Sequence, residues 1–225
     1  MSSASGRRKR QEAEVFRVIA TRSASASIAG KVRKLLVDPR YALRGMRYLL
    51  NLPVRMETED RRILEQTIFP YFGSFPAIRS ILFVGCDWYT KHYERVFFEG
   101  RDYWTIDPLP RARKFAGRQH IVAPLERLDE AFPPARFDLI LCNGVYGYGL
   151  DSREQCERAF DLCHSRLVDG GHFVLGWDDI PPRAPVPIEK IDSLQRFRKE
   201  AFPPLGSWRY RTDTPYRHSY DFYRK

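Results

Sequence analysis

The stretch that decides the fold is "SILFVGCD", Ser80 to Asp87. A short apolar run that stops at a glycine is typical of a strand buried on both faces of a parallel sheet. A loop that cradles a phosphate needs further glycines after Gly85, but the chain continues with Cys86, Asp87 and, two residues on, Tyr89. The stretch therefore predicts the first strand of an α/β domain whose ligand loop is built from other residues.

Charge divides the chain into two parts. The net charge of the 225 residues is +10, and residues 1–55 carry 13 basic and 3 acidic side chains, whereas residues 56–225 carry 25 of each. We therefore predict a basic arm over 1–55 and a neutral globular domain over 56–225. Enzymes that act on nucleic acids usually spread basic residues around the active cleft, so the neutral domain argues against such a partner.

The arm contains the cluster "GRRKR", a Ser- and Ala-rich segment, and a predicted helix within Tyr41–Asn51. Its apolar residues fall on one helical face and its arginines on another. The apolar face comprises Ala42, Leu43, Met46, Leu49 and Leu50, and the basic face Arg40, Arg44 and Arg47. Such a helix can lie on an anionic membrane surface, dock a partner, or pack on the domain with its arginines in water.

Localisation and thiol chemistry follow from what the sequence lacks. It has no apolar run of the roughly 20 residues that cross a bilayer, and no secretory signal pattern, so we expect a cytoplasmic protein. The cysteines form no CxxC pair, so we expect reduced thiols. We expect no disulfides and no bound zinc or other metal.

The rest of the domain alternates between strands and helices. Strands are predicted at "SILFV", "DYWTID", "RQHIVA", "FDLILCNGV" and "HFVLGW", and helices from about Thr58 to Phe69, from Tyr89, at "PLERLDEAF", at "SREQCERAFDLCHSRL" and over Glu189–Glu200. "SWRYRT" and "YRHSYDFYRK" read as an antiparallel hairpin. This pattern predicts a doubly wound, mostly parallel, seven-stranded α/β sheet that ends in a C-terminal hairpin.

Ligands of such sheets bind at the carboxyl ends of the strands. Asp107 ends the second strand, 22 residues after Gly85, which is close to the spacing of an acid that binds the ribose hydroxyls of a nucleotide. No GxGxxG motif is present, which argues against a dinucleotide with its pyrophosphate. An adenosine ligand without phosphate fits the pattern better.

Over about Ile81–Lys225 the chain resembles the class I S-adenosylmethionine-dependent methyltransferases. The resemblance rests on "ILFVGCD", "YWTID", "FDLILCNGV", "LVDGGHFVLGW" and the closing hairpin. It implies a Rossmann-like methyltransferase fold, S-adenosylmethionine as cofactor, and an enzyme that methylates a small molecule. It also implies the following contacts: Gly85 and Cys86 with the methionine part, Asp107 with the ribose, Leu125 beside the adenine and Asn143 beside the reacting methyl group.

The chain departs from the family pattern in its first loop. The acid that the family usually has two residues before the glycine is Phe83 here, and the later glycines are replaced by Asp87 and Tyr89. Asp87 can bind the cofactor ammonium, and Tyr89 and Thr90 can supply hydroxyl groups beside the free amides of the helix predicted from Tyr89. Because Asp107 is retained, we interpret these changes as substitution rather than decay of the site.

Three residues are candidates for catalysis. Tyr146 follows the fourth strand, Asp178 ends the fifth, and His92 lies one turn into the predicted second helix. Any of them can contact the acceptor or take a proton. "NGVYGYG" does not match the acidic-aromatic tetrad of amine methylases, so oxygen is the preferred acceptor atom. A non-catalytic cofactor-binding or scaffold protein on the same fold, and an RNA methyltransferase suggested by the basic arm, remain as alternatives.

Overall fold

The computed structural model describes residues 39–132 and 136–225, and the "GRRKR" cluster and the Ser- and Ala-rich segment of the arm lie outside the described residues. The chain forms two compact units with a boundary after Val54. The first unit contains helix α1, Pro39–Leu49, where a helix was predicted, and its Leu43, Met46 and Leu49 side chains are exposed. None of the described helices combines the length and the apolar character that a membrane crossing requires.

The described part of the second unit is built on one eight-stranded sheet. Its strands are β1 Ser80–Val84, β2 Asp102–Asp107, β3 Gln119–Val122, β4 Phe137–Asn143, β5 Leu167–Asp178, β6 Arg198–Lys199, β7 Arg209–Arg211 and β8 His218–Arg224. The order is β3-β2-β1-β4-β5-β8-β6, with β7 also paired to β8. Strands β1 to β5 are parallel and β8 is antiparallel to β5. The predicted fold is confirmed, with the two-residue β6 as the strand that the sequence did not indicate.

Short helices and one long helix precede or connect these strands. They are α2 Glu59–Ile63, a π-helical turn Leu64–Ile68, α3 Phe69–Gly73, α4 Tyr93–Phe97, α5 Leu128–Ala131 and α6 Arg153–Arg166. A capping box starts α6, because Ser152 accepts from the Gln155 amide at 3.2 Å and Gln155 reaches back to the Ser152 amide. The predicted apolar stripe of α6 is buried at Cys156, Ala159, Phe160 and Cys163.

Two predicted helices were wrong in extent or type. The helix from Thr58 does not end at Phe69 but continues through Pro70 to Gly73, because Pro70 lies at the start of α3, just after the π turn. No α-helix occupies Glu189–Glu200, where the described residues form 3₁₀ turns and then β6. The buried positions there repeat every three residues, which suits three residues per turn: Ile188, Ile191, Leu194 and Phe197.

Strand β5 also begins earlier than expected. It starts at Leu167 and runs through "DGG", which was predicted as a turn. Gly170 has a φ of +73° and the β4–β5 register shifts beside it, so the glycines form an irregularity within the strand.

Apolar layers cover both faces of the sheet. Leu82 and Val84 belong to one buried cluster, and Ile81 and Phe83 to the other. The alternation along β1 shows that the strand is buried on both sides, as its uninterrupted apolar sequence predicted. The sheet order reverses between β1 and β4, so the carboxyl ends of these two central strands flank a crevice.

Candidate functional site

A cavity of about 740 Å³ opens at this point of reversal. Its walls come from the carboxyl ends of β1, β2, β4 and β5, from the first residue of β8, and from the start of α2. Two sides can be distinguished. The β1–β2 side contains Gly85, Cys86 and Asp107, and the β5–β8 side contains Asp178 and His218, with Tyr148 from the loop after β4.

Gly85 lets the chain turn tightly on the β1–β2 side. Its φ is +86°, and a Cβ atom at this position would lie 2.9 Å from Cγ2 of Val145. Its amide donates to the Ile106 carbonyl at 2.9 Å, which ties the turn to the end of β2. A side chain here would be strained and would collide with Val145.

Asp107 holds the loops of the β1–β2 side together. Its carboxylate is 8% exposed; Oδ2 accepts from the Cys86 amide at 2.9 Å and Oδ1 accepts from the Leu109 amide at 2.8 Å. Each oxygen has a further lone pair, so a ligand hydroxyl can still donate to this group from the cavity. Burial and the neighbouring Asp107 charge raise the pKa of the Cys86 thiol to about 12, so this wall of the cavity is a neutral thiol.

The loop after Cys86 closes on itself. The Asp87 amide donates to Oγ1 of Thr90 at 3.1 Å, the Thr90 amide donates to the Asp87 carbonyl at 2.8 Å, and the Trp88 amide donates to the Asp87 carboxylate at 2.7 Å. Helix α4 starts at Tyr93. The expectation of a helix that begins at Tyr89 was therefore wrong, and local turns use the amides of Asp87, Trp88 and Thr90.

Hydrogen-bonded side chains form the β5–β8 side. Asp178 accepts from Nδ1 of His218 at 2.6 Å and from the Tyr148 hydroxyl at 2.6 Å. Asn143, at the end of β4, lies 3.2 Å from Nε2 of His218. Asp178, His218 and Asn143 are all less than 9% exposed, so water competes little for these contacts.

Arg61 of α2 determines how the Asn143 amide is oriented. A guanidinium group can only donate, so the Asn143 oxygen is assigned to face Arg61, with 3.0 Å to Nη1. The Asn143 nitrogen then donates to Nε2 of His218 at 3.2 Å. Because Nε2 of His218 accepts this hydrogen bond, the contacts assign the imidazole proton to Nδ1. The Nδ1–H group then donates to the Asp178 carboxylate.

The charges on this side are fixed by the same contacts. Burial alone raises the pKa of Asp178, but the hydrogen bonds from His218 and Tyr148 outweigh it and lower the pKa below its ordinary value. Burial and the hydrogen bond to Asp178 raise the pKa of Tyr148 to about 12. An ionised carboxylate therefore accepts the hydrogen bond from Nδ1 of the imidazole, which fixes the orientation of the ring and leaves Nε2 as the nitrogen that can accept a proton.

Gly176 makes room for this network. It pairs with Asn143 across β4 and β5. A Cβ atom at Gly176 would coincide with the end of the Asn143 side chain and would lie 3.1 Å from Nε2 of His218. The glycine that the sequence places within the fifth strand thus keeps Asn143 and His218 in contact.

The structure brings most of the predicted site residues to the cavity. All of the candidate cofactor-binding residues line it: Gly85, Cys86, Asp87, Tyr89, Thr90, Asp107, Leu125 and Asn143. Of the three candidate catalytic residues, Asp178 also lines it. These positions share the strand-end or following-loop placement on which the prediction was based.

Tyr146 and His92 do not reach the cavity wall. Tyr146 is fully buried; its hydroxyl donates to the Val186 carbonyl and its ring packs edge-on against Trp177 at 5.9 Å. His92 precedes α4 and is absent from the cavity wall. Sequence position alone did not distinguish these two residues from nearby ones that do line the cavity, Thr90 and Tyr148.

Sequence reasoning missed Arg61 and His218. Arg61 lies in the helix before β1, and His218 lies in the predicted closing strand, 75 residues after Asn143. The one available signal was the predicted hairpin, since an antiparallel last strand places its first residue beside the carboxyl end of the fifth strand. Its register pairs His218 with Asp178, and that register was not predictable from residue spacing.

The fold is that of the class I S-adenosylmethionine-dependent methyltransferases. The N-methyltransferase NodS from Bradyrhizobium japonicum WM9 is similar with a TM-score of 0.55 and 18% identity, over 74% of this chain and 98% of that chain. A complex of NodS with S-adenosyl-L-homocysteine has a TM-score of 0.54 and 16% identity, over 84% and 99% of the two chains. The predicted resemblance in fold is thereby confirmed.

A TehB-like S-adenosylmethionine-dependent methyltransferase from Corynebacterium glutamicum ATCC 13032 is also similar. Its TM-score is 0.52 and its identity 18%, over 73% of this chain and 93% of that chain. No protein-family model matches the sequence, and no curated protein is significantly similar to it. At these identities the likeness concerns the fold, and the choice of substrate has to be argued from the site.

Proposed function

We propose that this protein is an enzyme that transfers the methyl group of S-adenosylmethionine to a hydroxyl oxygen of a small molecule. One observation carries the proposal: the buried Asp107 carboxylate and the His218–Asp178 pair open onto the same cavity. A ribose-binding acid on one side and a proton acceptor on the other suit one cofactor and one acceptor that meet between them.

The β1–β2 side fits the adenosine part of the cofactor. Asp107 has free lone pairs for the two ribose hydroxyls, and Gly85 allows a close approach of the ligand to the backbone. Leu125 is buried at the cavity wall and offers an apolar surface for the adenine ring. The neutral thiol of Cys86 adds no charge that would repel the ligand.

The β5–β8 side fits an acceptor that loses a proton. The cofactor, when bound, supplies an electrophilic methyl group, which leaves its sulfur as a bond to the acceptor oxygen forms. We assign the acceptor proton to Nε2 of His218, where the acceptor hydroxyl replaces the Asn143 amide as donor. Asp178 then stabilises the imidazolium through the 2.6 Å contact to Nδ1.

The cavity size and the charge of the domain favour a small molecule over RNA. A volume of about 740 Å³ lies within the usual range for small-molecule and cofactor pockets. Residues 56–225 carry equal numbers of basic and acidic side chains, so the domain has no excess positive charge to attract a polyanion.

The test combines binding with transfer. Calorimetric titration of S-adenosylmethionine and S-adenosylhomocysteine into the full chain should give micromolar dissociation constants. Transfer of a labelled methyl group should then be measured to a panel of small hydroxyl compounds, each paired with its amine analogue. Transfer to the amine member of each pair alone would contradict the oxygen acceptor.

A non-catalytic protein on the same fold is the second candidate. The observation that favours it is the self-closed loop over residues 87–90, in which the amides of Asp87, Trp88 and Thr90 bond within the loop. This candidate, a cofactor-binding or scaffold protein, predicts that both titrations show weak binding or none and that no acceptor is methylated. Micromolar binding with label transfer would exclude it.

A further inference from the structure

The amino-acid end of the cofactor needs partners that the altered loop does not supply. The position where the family usually has an acid is Phe83, which is 1% exposed and packs against Tyr93 at a ring distance of 5.6 Å. The amides of Asp87, Trp88 and Thr90, in the loop after Cys86, are used within the loop. A group that binds the carboxylate must therefore come from elsewhere on the cavity wall.

Arg61 is a buried cation on that wall. Its side chain is 11% exposed and it lines the cavity. The ion pair that it forms among the described residues is with Asp60, at 3.5 Å from Nε, longer than the 2.7–2.9 Å of a strong charge-assisted bond. Its other partners are neutral: the Tyr89 hydroxyl at 3.0 Å and the Asn143 oxygen at 3.0 Å.

The surrounding contacts fix the position of this cation. The Tyr220 hydroxyl donates to the Asp60 carbonyl at 2.8 Å and ties α2 to β8. The Tyr89 ring lies 4.4 Å from the Arg61 guanidinium. A buried charge that is only weakly paired is costly unless a ligand of opposite charge completes its surroundings. A guanidinium carries five N–H donors in a planar fork that suits a carboxylate, and the hydrogen bonds to Tyr89 and Asn143 leave some of these donors for a ligand.

We propose that Arg61 binds the carboxylate of the methionine part of S-adenosylmethionine, in place of the loop groups that this chain lacks. Asp87, exposed on the same cavity wall, then faces the ammonium group. The inference rests on the proposed function, since it assigns one end of the proposed cofactor. It also gives Arg61 two roles, because the same guanidinium orients the Asn143 amide.

The test compares two ligands that differ in the amino-acid end. S-adenosylhomocysteine carries that end, whereas 5′-methylthioadenosine lacks it. Calorimetry on the full chain should show that Arg61→Met raises the dissociation constant of S-adenosylhomocysteine about 50-fold. The dissociation constant of 5′-methylthioadenosine should change by no more than about threefold. Arg61→Lys keeps the charge but loses the planar fork of donors. We therefore expect its affinity for S-adenosylhomocysteine to fall about tenfold and its affinity for 5′-methylthioadenosine to stay the same. Arg62→Met, an exposed neighbour in α2, is the matched control and should change neither affinity.

The outcomes separate this inference from the function beneath it. The role of Arg61 would be overturned if Arg61→Met weakened the binding of both ligands equally, or if it left the binding of S-adenosylhomocysteine unchanged. Either result would leave the cofactor proposal intact. Failure of the wild type to bind either ligand would overturn the proposed function and the inference with it. Retained binding of 5′-methylthioadenosine by the variant shows at the same time that it is folded.

Discussion

The two sides of the cavity are held together by different kinds of contact. On the β1–β2 side, one carboxylate, Asp107, binds backbone amides of the two loops that flank it. On the β5–β8 side, a chain of side chains runs from Arg61 through Asn143 and His218 to Asp178. The first side depends on one side chain, Asp107, and on backbone amides that any residue there except proline would supply, whereas the second depends on the identity of every member.

This difference indicates a division of labour. Backbone-held loops give a rigid surface for a cofactor, and buried side-chain networks can orient an acceptor and receive a proton. We therefore expect substitution of Asp107 to change cofactor affinity and substitution of His218 or Asp178 to change turnover. Arg61 contacts both the Asn143 amide and Tyr89, and as the proposed carboxylate ligand it is the member of the chain that should affect cofactor affinity. The following predictions test that separation in order of decreasing effect.

Asp107→Ala should have the largest effect. It removes the proposed acceptor of two ribose hydroxyls, so the dissociation constant of S-adenosylhomocysteine should rise about 1,000-fold in calorimetry. Because the carboxylate also holds the Cys86 and Leu109 amides, Asp107→Asn is needed beside it as a more conservative change. An unchanged dissociation constant in both variants would remove Asp107 from the cofactor site.

His218→Ala should lower kcat by about 300-fold through loss of the general base, with the affinity for S-adenosylhomocysteine nearly unchanged. The measurement is steady-state kinetics with an acceptor found in the screen. His92→Ala is the matched control, because His92 lies away from the cavity wall. Parallel losses of affinity and turnover in His218→Ala would break the proposed separation of the two sides.

Gly176→Ala should reduce kcat by up to about 100-fold, because the added Cβ displaces Asn143 and shifts the geometry beside the methyl group. Cofactor binding on the β1–β2 side should change little. Gly206→Ala offers a control, since a Cβ there meets no atom within 4 Å, although its positive φ adds backbone strain. Full activity of Gly176→Ala would show that Asn143 need not contact His218.

Tyr148→Phe should have a smaller effect. It removes one hydrogen bond to Asp178, while His218 still binds the carboxylate and the ring still lies 4.1 Å from the Arg183 guanidinium. We expect kcat to fall about fivefold. A loss as large as that of His218→Ala would mean that the hydroxyl itself takes part in the reaction.

The smallest expected effect is on stability and concerns pH. The pKa of folded Asp178 lies below its ordinary value of 3.8, so its ionised form stabilises the fold at any pH above that value. This contribution is lost as the pH falls through the folded-state pKa. The difference in unfolding free energy between wild type and Asp178→Asn should therefore shrink on acidification in urea titrations, and a difference that grows would contradict it.

The sequence by itself determined the sheet and the β1–β2 side of the cavity. "SILFV" has to be buried on both faces, and Gly85 has to turn the chain where a side chain does not fit. Asp107 could be placed because it ends a strand next to β1, and the spacing of consecutive strands is a local property. These features depend on the order of apolar residues and glycines along the chain.

Only the tertiary structure decided the β5–β8 side and the role of Arg61. Asp178 meets His218 through the register of antiparallel strands, and Asn143 meets Arg61 through the docking of α2. Tyr146 and Tyr148 are two residues apart, yet one turns into the core and the other onto the cavity. Contacts between distant segments depend on how elements pack, and packing is set by the whole core rather than by any local pattern.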